Sequence, residues 1–391
     1  MQSQFGPGWK AMLAYGSSSK FNGLIRCRFA VAAGLCASFT GALASTANVN
    51  IAKLQEAAEK GAVSKQVELA GDYFEGRGVP QDAKMAAFWY KKAAEAGDPE
   101  AENEIGFFYH MGVGIQADSD QALHWYQLAA ASGLALAKVN LGVMYAWGIG
   151  VSKDEMLGAQ FFREAAAKGS GIAATYLGDM YYFGMGMNVD KAAGEAWYSK
   201  GVKMHDPMAE YNMGSLLALS PNHPQNLPEG AKLLRQSSDA GFVPAMHALG
   251  LLLTNHPELA SSRQEARPLL EAAANAGSWK SSVVLGILAR DGVGDSPGPE
   301  SAFYRFQIAM LQGGEPARLL LTKEIDALSG KVGVEKRSAL ISDANSWFSQ
   351  HKTAVTFVYK NQQRAKRFPG SALTTPLVGV HAGMLLPTPP S

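Results

Sequence analysis

Glycine returns every 36 residues through the middle of the chain, at Gly106, Gly142, Gly178, Gly214, Gly250 and Gly286, and Ala70 holds the same place one period earlier. A period of this length marks stacked supersecondary units, each too small to bury its own apolar face and each dependent on its neighbours. A row of such units offers a long surface and no enclosed catalytic cleft.

Other positions keep the same step. Ala101 recurs as Ala137, Ala173, Ala209, Ala245, Ser281 and Ala317, and Ile105 recurs as Leu141, Leu177, Met213, Leu249, Leu285 and Leu321. Small and large apolar residues four apart form one buried stripe of a helix, called A here. In the second half of each unit, Trp89-Tyr90, Trp125-Tyr126, Phe161-Phe162, Trp197-Tyr198, Leu233-Leu234 and Leu269-Leu270 share one pair of positions. Small residues flank each pair, as at Ala122 and Ala129, so a second helix, B, can approach its neighbour closely with the bulky pair beside it.

The punctuation agrees. Asp82, Asp118, Asp154 and Asp190 stand where helix B needs an N-terminal cap, and Gly97, Gly133, Gly169, Gly241, Gly277 and Gly313 stand where it stops. Paired glycines such as Gly112/Gly114 and Gly148/Gly150 make the turn from A to B.

The run Leu-Gly-x-x-Tyr-x-x-Gly-x-Gly-Val, then Asp, then Ala-x-x-Trp-Tyr-x-x-Ala-Ala-x-x-Gly is almost complete from Ile105 to Gly133. It resembles the Sel-one-like repeat family, relatives of the tetratricopeptide repeat, over about seven units from residue 65 to residue 316. The resemblance implies an all-α fold, an α/α solenoid wound as a right-handed superhelix of helix-turn-helix repeats, acting as a scaffold or adaptor. It does not choose the partner.

The ends are read as caps. Residues 45–64 form an N-terminal half unit with Ala57-Ala58 in the register of Ala93-Ala94, and residues 317–352 supply C-terminal helices, the last with Leu340, Ala344, Trp347 and Phe348 on one side. Residues 353–391 read as a basic run and then a proline-rich disordered tail.

Residues 1–44 read as a signal peptide with an N-terminal extension. Arg26 and Arg28 precede an apolar run from Phe29 to Ala44 that closes on Ala42-Leu43-Ala44, with cleavage expected after Ala44; initiation at Met12 would shorten the long n-region. The run includes Gly34, Ser38, Thr40 and Gly41 and falls short of a spanning helix, so no stable membrane span is expected after cleavage. A periplasmic or secreted location follows. A segment that stays attached, and so tethers the chain, is the alternative. Both cysteines, Cys27 and Cys36, lie within this segment, so the mature chain has neither a disulfide nor a thiolate metal site, unlike the disulfide-stapled secreted relatives the resemblance brings with it.

No catalytic grouping emerges. Gly294-Asp295-Ser296-Pro297-Gly298 fits the letters of a hydrolase serine motif but falls in the turn of the seventh unit, where no strand or sheet can hold partners. His223 and His256 sit in Asn-His-Pro loops, and the eight histidines show no ligand spacing. No cofactor and no metal are expected. The formal net charge of +1, with charged residues at 18%, gives no reason to expect nucleic acid.

The candidate site is therefore a face. At about 100° per residue, one side of helix A turns away from the buried stripe, and in tetratricopeptide-type arrays that side is the concave surface. Its residues vary while the packing positions do not: Asn103, Phe107 and Met111, then Val143 and Trp147, then Asp179, Tyr182 and Phe183, then Tyr211. These nine are the expected contacts to a protein or peptide partner, with Trp147 foremost. Packing against the next unit is the competing use of the same side chains. An aromatic groove also suits sugar rings, so a cell-wall glycan or peptidoglycan binding protein or enzyme is the alternative function.

Overall fold

The computed structural model describes residues 51–218, 224–256, 258–259, 262–293 and 297–367. The segment read as a signal peptide, the Gly294–Ser296 part of the serine motif, His223 and the end of the chain after Arg367 lie outside them. No strand occurs among the described residues.

After a helical segment over residues 51–59 (α1), helices alternate as A and B. The A helices are α2 (Val63–Glu75), α4 (Pro99–Met111), α6 (Ala135–Trp147), α8 (Gly171–Phe183), α10 (Pro207–Ala218), α12 (Val243–Asn255) and α14 (Trp279–Arg290). The B helices between them are α3 (Ala83–Glu95), α5 (Ser119–Ala131), α7 (Glu155–Ala167), α9 (Lys191–Lys203), α11 (Leu227–Asp239), α13 (Ser262–Asn275) and α15 (Pro299–Gly313). α16 (Glu315–Ser329) and α17 (Val334–Arg367) complete the chain. The architecture is all-α, an α/α solenoid of helical hairpins. The residues group into two compact units, the first ending at Ala173 and the second beginning at Ala174, each taken by itself below.

The recurring glycine has a steric cause. In the first unit a Cβ on Gly106 would stand 2.8 Å from the Tyr126 ring and one on Gly142 would stand 2.6 Å from the Phe162 ring. Both rings are fully buried. In the second unit the same relation joins Gly178 to Tyr198, Gly250 to Leu270 and Gly286 to Phe306. Each A helix thus gives up a side chain so that the B helix of its own hairpin can lay a large one flat on its backbone.

The aspartate caps form as the sequence requires. Asp118 accepts hydrogen bonds from the backbone N–H of Asp120 and Gln121, Asp154 from Leu157 and Asp190 from Ala193. The turn glycines do more than bend. Gly114, at φ +68, lies so close to the Ala83 carbonyl that no side chain fits, and Gly150 is pressed in the same way on Ser119. Within the first unit, each A-to-B turn therefore rests on the start of the preceding hairpin's B helix.

Two details differ from expectation. Gly313 lies inside α15, where its backbone packs on Trp279, and Gly314, at φ 60, is the residue that ends the helix. The final helix also continues to Arg367, past the end expected near His351 and through the basic run. Lys, Arg, Gln and Ala, which dominate that run, are good helix formers and nothing in it breaks the helix. Ala317, Leu321 and Leu328 of α16 are buried, and α17 packs along α15 with Ala344 fully buried and Leu340 against the core around Phe303 and Phe306. Ser338, Ser342, Asn345 and Ser349 of α17 face solvent, a polar covering for the last hairpin.

Candidate functional site

Helix α4 shows how the face is built. Ala101 and Ile105 are buried, while Glu100 is exposed and Glu104, Phe107 and Met111 are half-buried on the other side. Phe107 has one edge on the core made by Tyr126, Leu141 and Met144. Val143 on α6 is likewise half-buried. In the second unit Tyr182 is half-buried and Phe183 is 42% exposed, their rings edge to face at 5.3 Å, with the Lys191 ammonium 5.4 Å from the centre of the Tyr182 ring.

Four of the nine predicted contact residues are instead packing residues. Asn103 is 3% exposed, and its Oδ1 accepts a hydrogen bond from Asn140 Nδ2 at 2.8 Å, tying α4 to α6. Trp147, the foremost candidate, is 8% exposed and lies edge-on to Phe162 of its own hairpin at 6.2 Å. Asp179 is buried and accepts from the Tyr198 hydroxyl at 2.7 Å and from Asn212 Nδ2 at 3.4 Å. Tyr211 is buried against Phe242, with ring centres 5.4 Å apart. Asn103 and Asp179 lie in the seams where consecutive A helices meet, whereas Trp147 and Tyr211 are closed off by aromatic rings outside their own helices. The face thus keeps Phe107, Met111, Val143, Tyr182 and Phe183.

The seams continue through the second unit as buried polar contacts. Thr175 donates to Asp206 at 2.6 Å, and Asp206 also caps α10 through the Ala209 N–H. Burial raises the Asp206 carboxyl above the usual range, and its hydrogen bonds only partly oppose that. Ser281 lies 2.9 Å from His247 Nδ1, and burial, helped by Lys280, drives the imidazole down to about 3. Ser282 donates to Gln312 Oε1, which in turn donates through Nε2 to the Ala274 carbonyl. These groups join neighbouring helices and face no opening.

One group on the face was missed. Glu104 has its carboxyl pushed up to about 7, by burial first and then by Glu100, against a long hydrogen bond from Asn103 Nδ2 at 3.5 Å. The sequence signal for it was the pair of carboxylates Glu100 and Glu104, four apart on one helix.

Among the described residues no group of three His, Cys, Asp or Glu could hold a metal ion, and no helix is long and apolar enough to cross a membrane. His256 is engaged with Glu258 at 2.7 Å.

Helical hairpins of near-constant length, joined through A-to-A seams, define an α/α repeat protein. The family model described as Sel1 repeat matches residues 66–98, 99–134, 135–170, 171–206 and 207–242. Over that span the chain carries five Sel1 repeats. The hairpins α12/α13 and α14/α15 lie beyond the matched residues, yet repeat the glycine-to-large-residue packing at Gly250 and Gly286.

Among solved structures, a Sel1 repeat protein from Oxalobacter formigenes is similar at 27% identity and TM-score 0.50, covering 59% of this chain and 98% of that one. A protective antigen present in uropathogenic Escherichia coli strains, displaying an SLR fold, is similar at 20% identity and TM-score 0.42, covering 80% of this chain and 81% of that one. An immunity protein from Pseudomonas aeruginosa is similar at 18% identity and TM-score 0.35, over 56% of this chain and 83% of that one. No curated protein matches. Sel1-repeat proteins are in general non-catalytic scaffolds for protein interaction.

Proposed function

We propose that this chain is a non-catalytic scaffold that holds a protein or peptide partner on the open side of its A helices, outside the cytoplasm. The observation that carries the reading is that Phe107, Met111, Val143, Tyr182 and Phe183 stay partly accessible along the A helices, beside seam residues such as Asn103 and Asp179 that are buried. Aromatic or methionine side chains left partly in water lower the free energy when a partner covers them. Export is supported by Arg26 and Arg28 ahead of the Phe29–Ala44 apolar run.

The test is crosslinking in the native cell from a photoreactive residue at position 183, with position 147 as the buried comparison. A discrete protein adduct from 183 and none from 147 is the expected result. Equal yields at both positions, or adducts only with sugar polymers, overturn it. The mass of the mature N-terminus checks the export reading, and a chain that still begins ahead of Ala44 contradicts cleavage there.

A further inference from the structure

The A-helix face of the first unit carries a charge pattern that its packing does not require. Along α4, Glu100, Glu104, Phe107 and Met111 succeed one another on the open side at helical spacing. Glu100 and Glu104 are like charges one turn apart, an arrangement that helices disfavour. The acids of the neighbouring α2 are all matched: Lys65 meets Glu68 at 2.7 Å, and Arg77 meets Asp72 at 2.8 Å and Glu75 at 3.2 Å. Neither Glu100 nor Glu104 is in an ion pair among the described residues, and the polar company of Glu104 is the distant Asn103 amide. The same two positions on α6 are Leu136 and Asn140, so the hairpin does not need acids there to fold.

Gly71 on α2 takes the register place of Phe107, and a Cβ added there would press on Arg77 Nη2 at 3.2 Å and meet the Tyr90 hydroxyl at 3.7 Å, so the Arg77 guanidinium lies over the place of a ring on α2. Glu104, Glu75, Arg77 and Asp72 all act on that hydroxyl, and Arg77 is committed to Asp72 and Glu75 rather than to Glu104. A half-buried carboxylate without an ion-pair partner gains more than a solvated one from an arriving cation.

We propose that this stripe docks a partner segment that sets an apolar side chain on Phe107 and Met111 and a lysine or arginine on Glu100 and Glu104. The inference rests on the A-helix reading above and narrows it to a basic, amphipathic peptide. The apolar contact keeps water from the ion pair, the cation relieves the Glu100–Glu104 repulsion, and a guanidinium has the Phe107 ring within the same stripe to stack on. An acidic peptide meets repulsion here.

Selection of a random peptide library on the full chain at about pH 8 tests it. The expected peptides pair Leu, Ile, Phe or Met with a nearby Lys or Arg. The double variant Glu100→Gln/Glu104→Gln, with its helicity checked by circular dichroism, is expected to lose the basic preference and keep the apolar one. Enrichment without basic residues, or a basic preference that survives in the double variant, overturns the proposal and leaves partner binding on the A helices standing. No enrichment over an unrelated protein also overturns it, and crosslinking from position 183 then decides the broader reading independently.

Discussion

The ring of Phe162 lies 2.6 Å from the point where a Cβ on Gly142 would stand. Real side chains do not approach that closely, so Gly142→Ala must displace a ring that is fully buried. Alanine improves helix propensity by about 0.5–1 kcal/mol over glycine, but overpacking of a filled core costs about 1–3 kcal/mol. The steric loss wins, and Gly142→Ala is expected to lower unfolding stability. Phe162→Leu in the same chain should recover part of it. Urea denaturation of the single and double variants checks the coupling, and strictly additive effects would show that the two residues do not meet.

Trp147 and Phe183 hold the same place in successive hairpins but differ in accessibility, at 8% and 42%. Trp147→Ala is expected to cost about 3–5 kcal/mol, as for other large core truncations. Phe183→Ala should change stability by less than about 1 kcal/mol while reducing partner recovery. Thermal unfolding and pull-down on the same two proteins separate the roles.

His247 sets a pH dependence of definite sign. Its folded value, about 3, is below its ordinary value, so below about pH 6.5 the unfolded chain takes up the proton that the buried imidazole refuses. The stabilisation is complete above that pH and is lost as pH falls toward 3, at about 1.4 kcal/mol per pH unit at most. His247→Gln should flatten the acid limb of a stability-against-pH curve.

Glu104 acts in the opposite sense. Its folded value is raised to about 7, so its favourable contribution is present at low pH and is lost as pH rises through neutrality. Glu104→Gln should therefore stabilise the chain at pH 8 and change little at pH 4. A midpoint shift equal at both pH values would show that the carboxyl is not perturbed.

Removing one cap should show how much a single aspartate contributes. Asp118 satisfies two backbone N–H groups at the start of α5, and Asp118→Ala is expected to cost about 1 kcal/mol. Asp118→Ser, which keeps an acceptor, should retain most of it.

The hairpins were legible because their requirements are local and repeated. A glycine facing a ring, an aspartate before a helix and small residues beside large ones each leave a mark at every period. The face was only half legible. Helical angle tells which way Asn103, Trp147, Asp179 and Tyr211 point around their own axes, but not which side chain from another helix closes over them. Asn140 and Asn212 are what close the seams at Asn103 and Asp179, and neither pairing has a periodic signature. Gly313 failed by one position: it is a close-contact glycine beside Trp279, specific to the seventh hairpin, and Gly314 ends the helix instead.

The seating of Gly114 on Ala83 and of Gly150 on Ser119 gives the first unit a directional interdependence. A bulky substitution at Gly150 would leave the hairpin that contains it largely intact and pry open the joint behind it, so injury in a connector is felt upstream. Protection of amide hydrogens should accordingly fall first near Ser119, on the N-terminal side of the lesion.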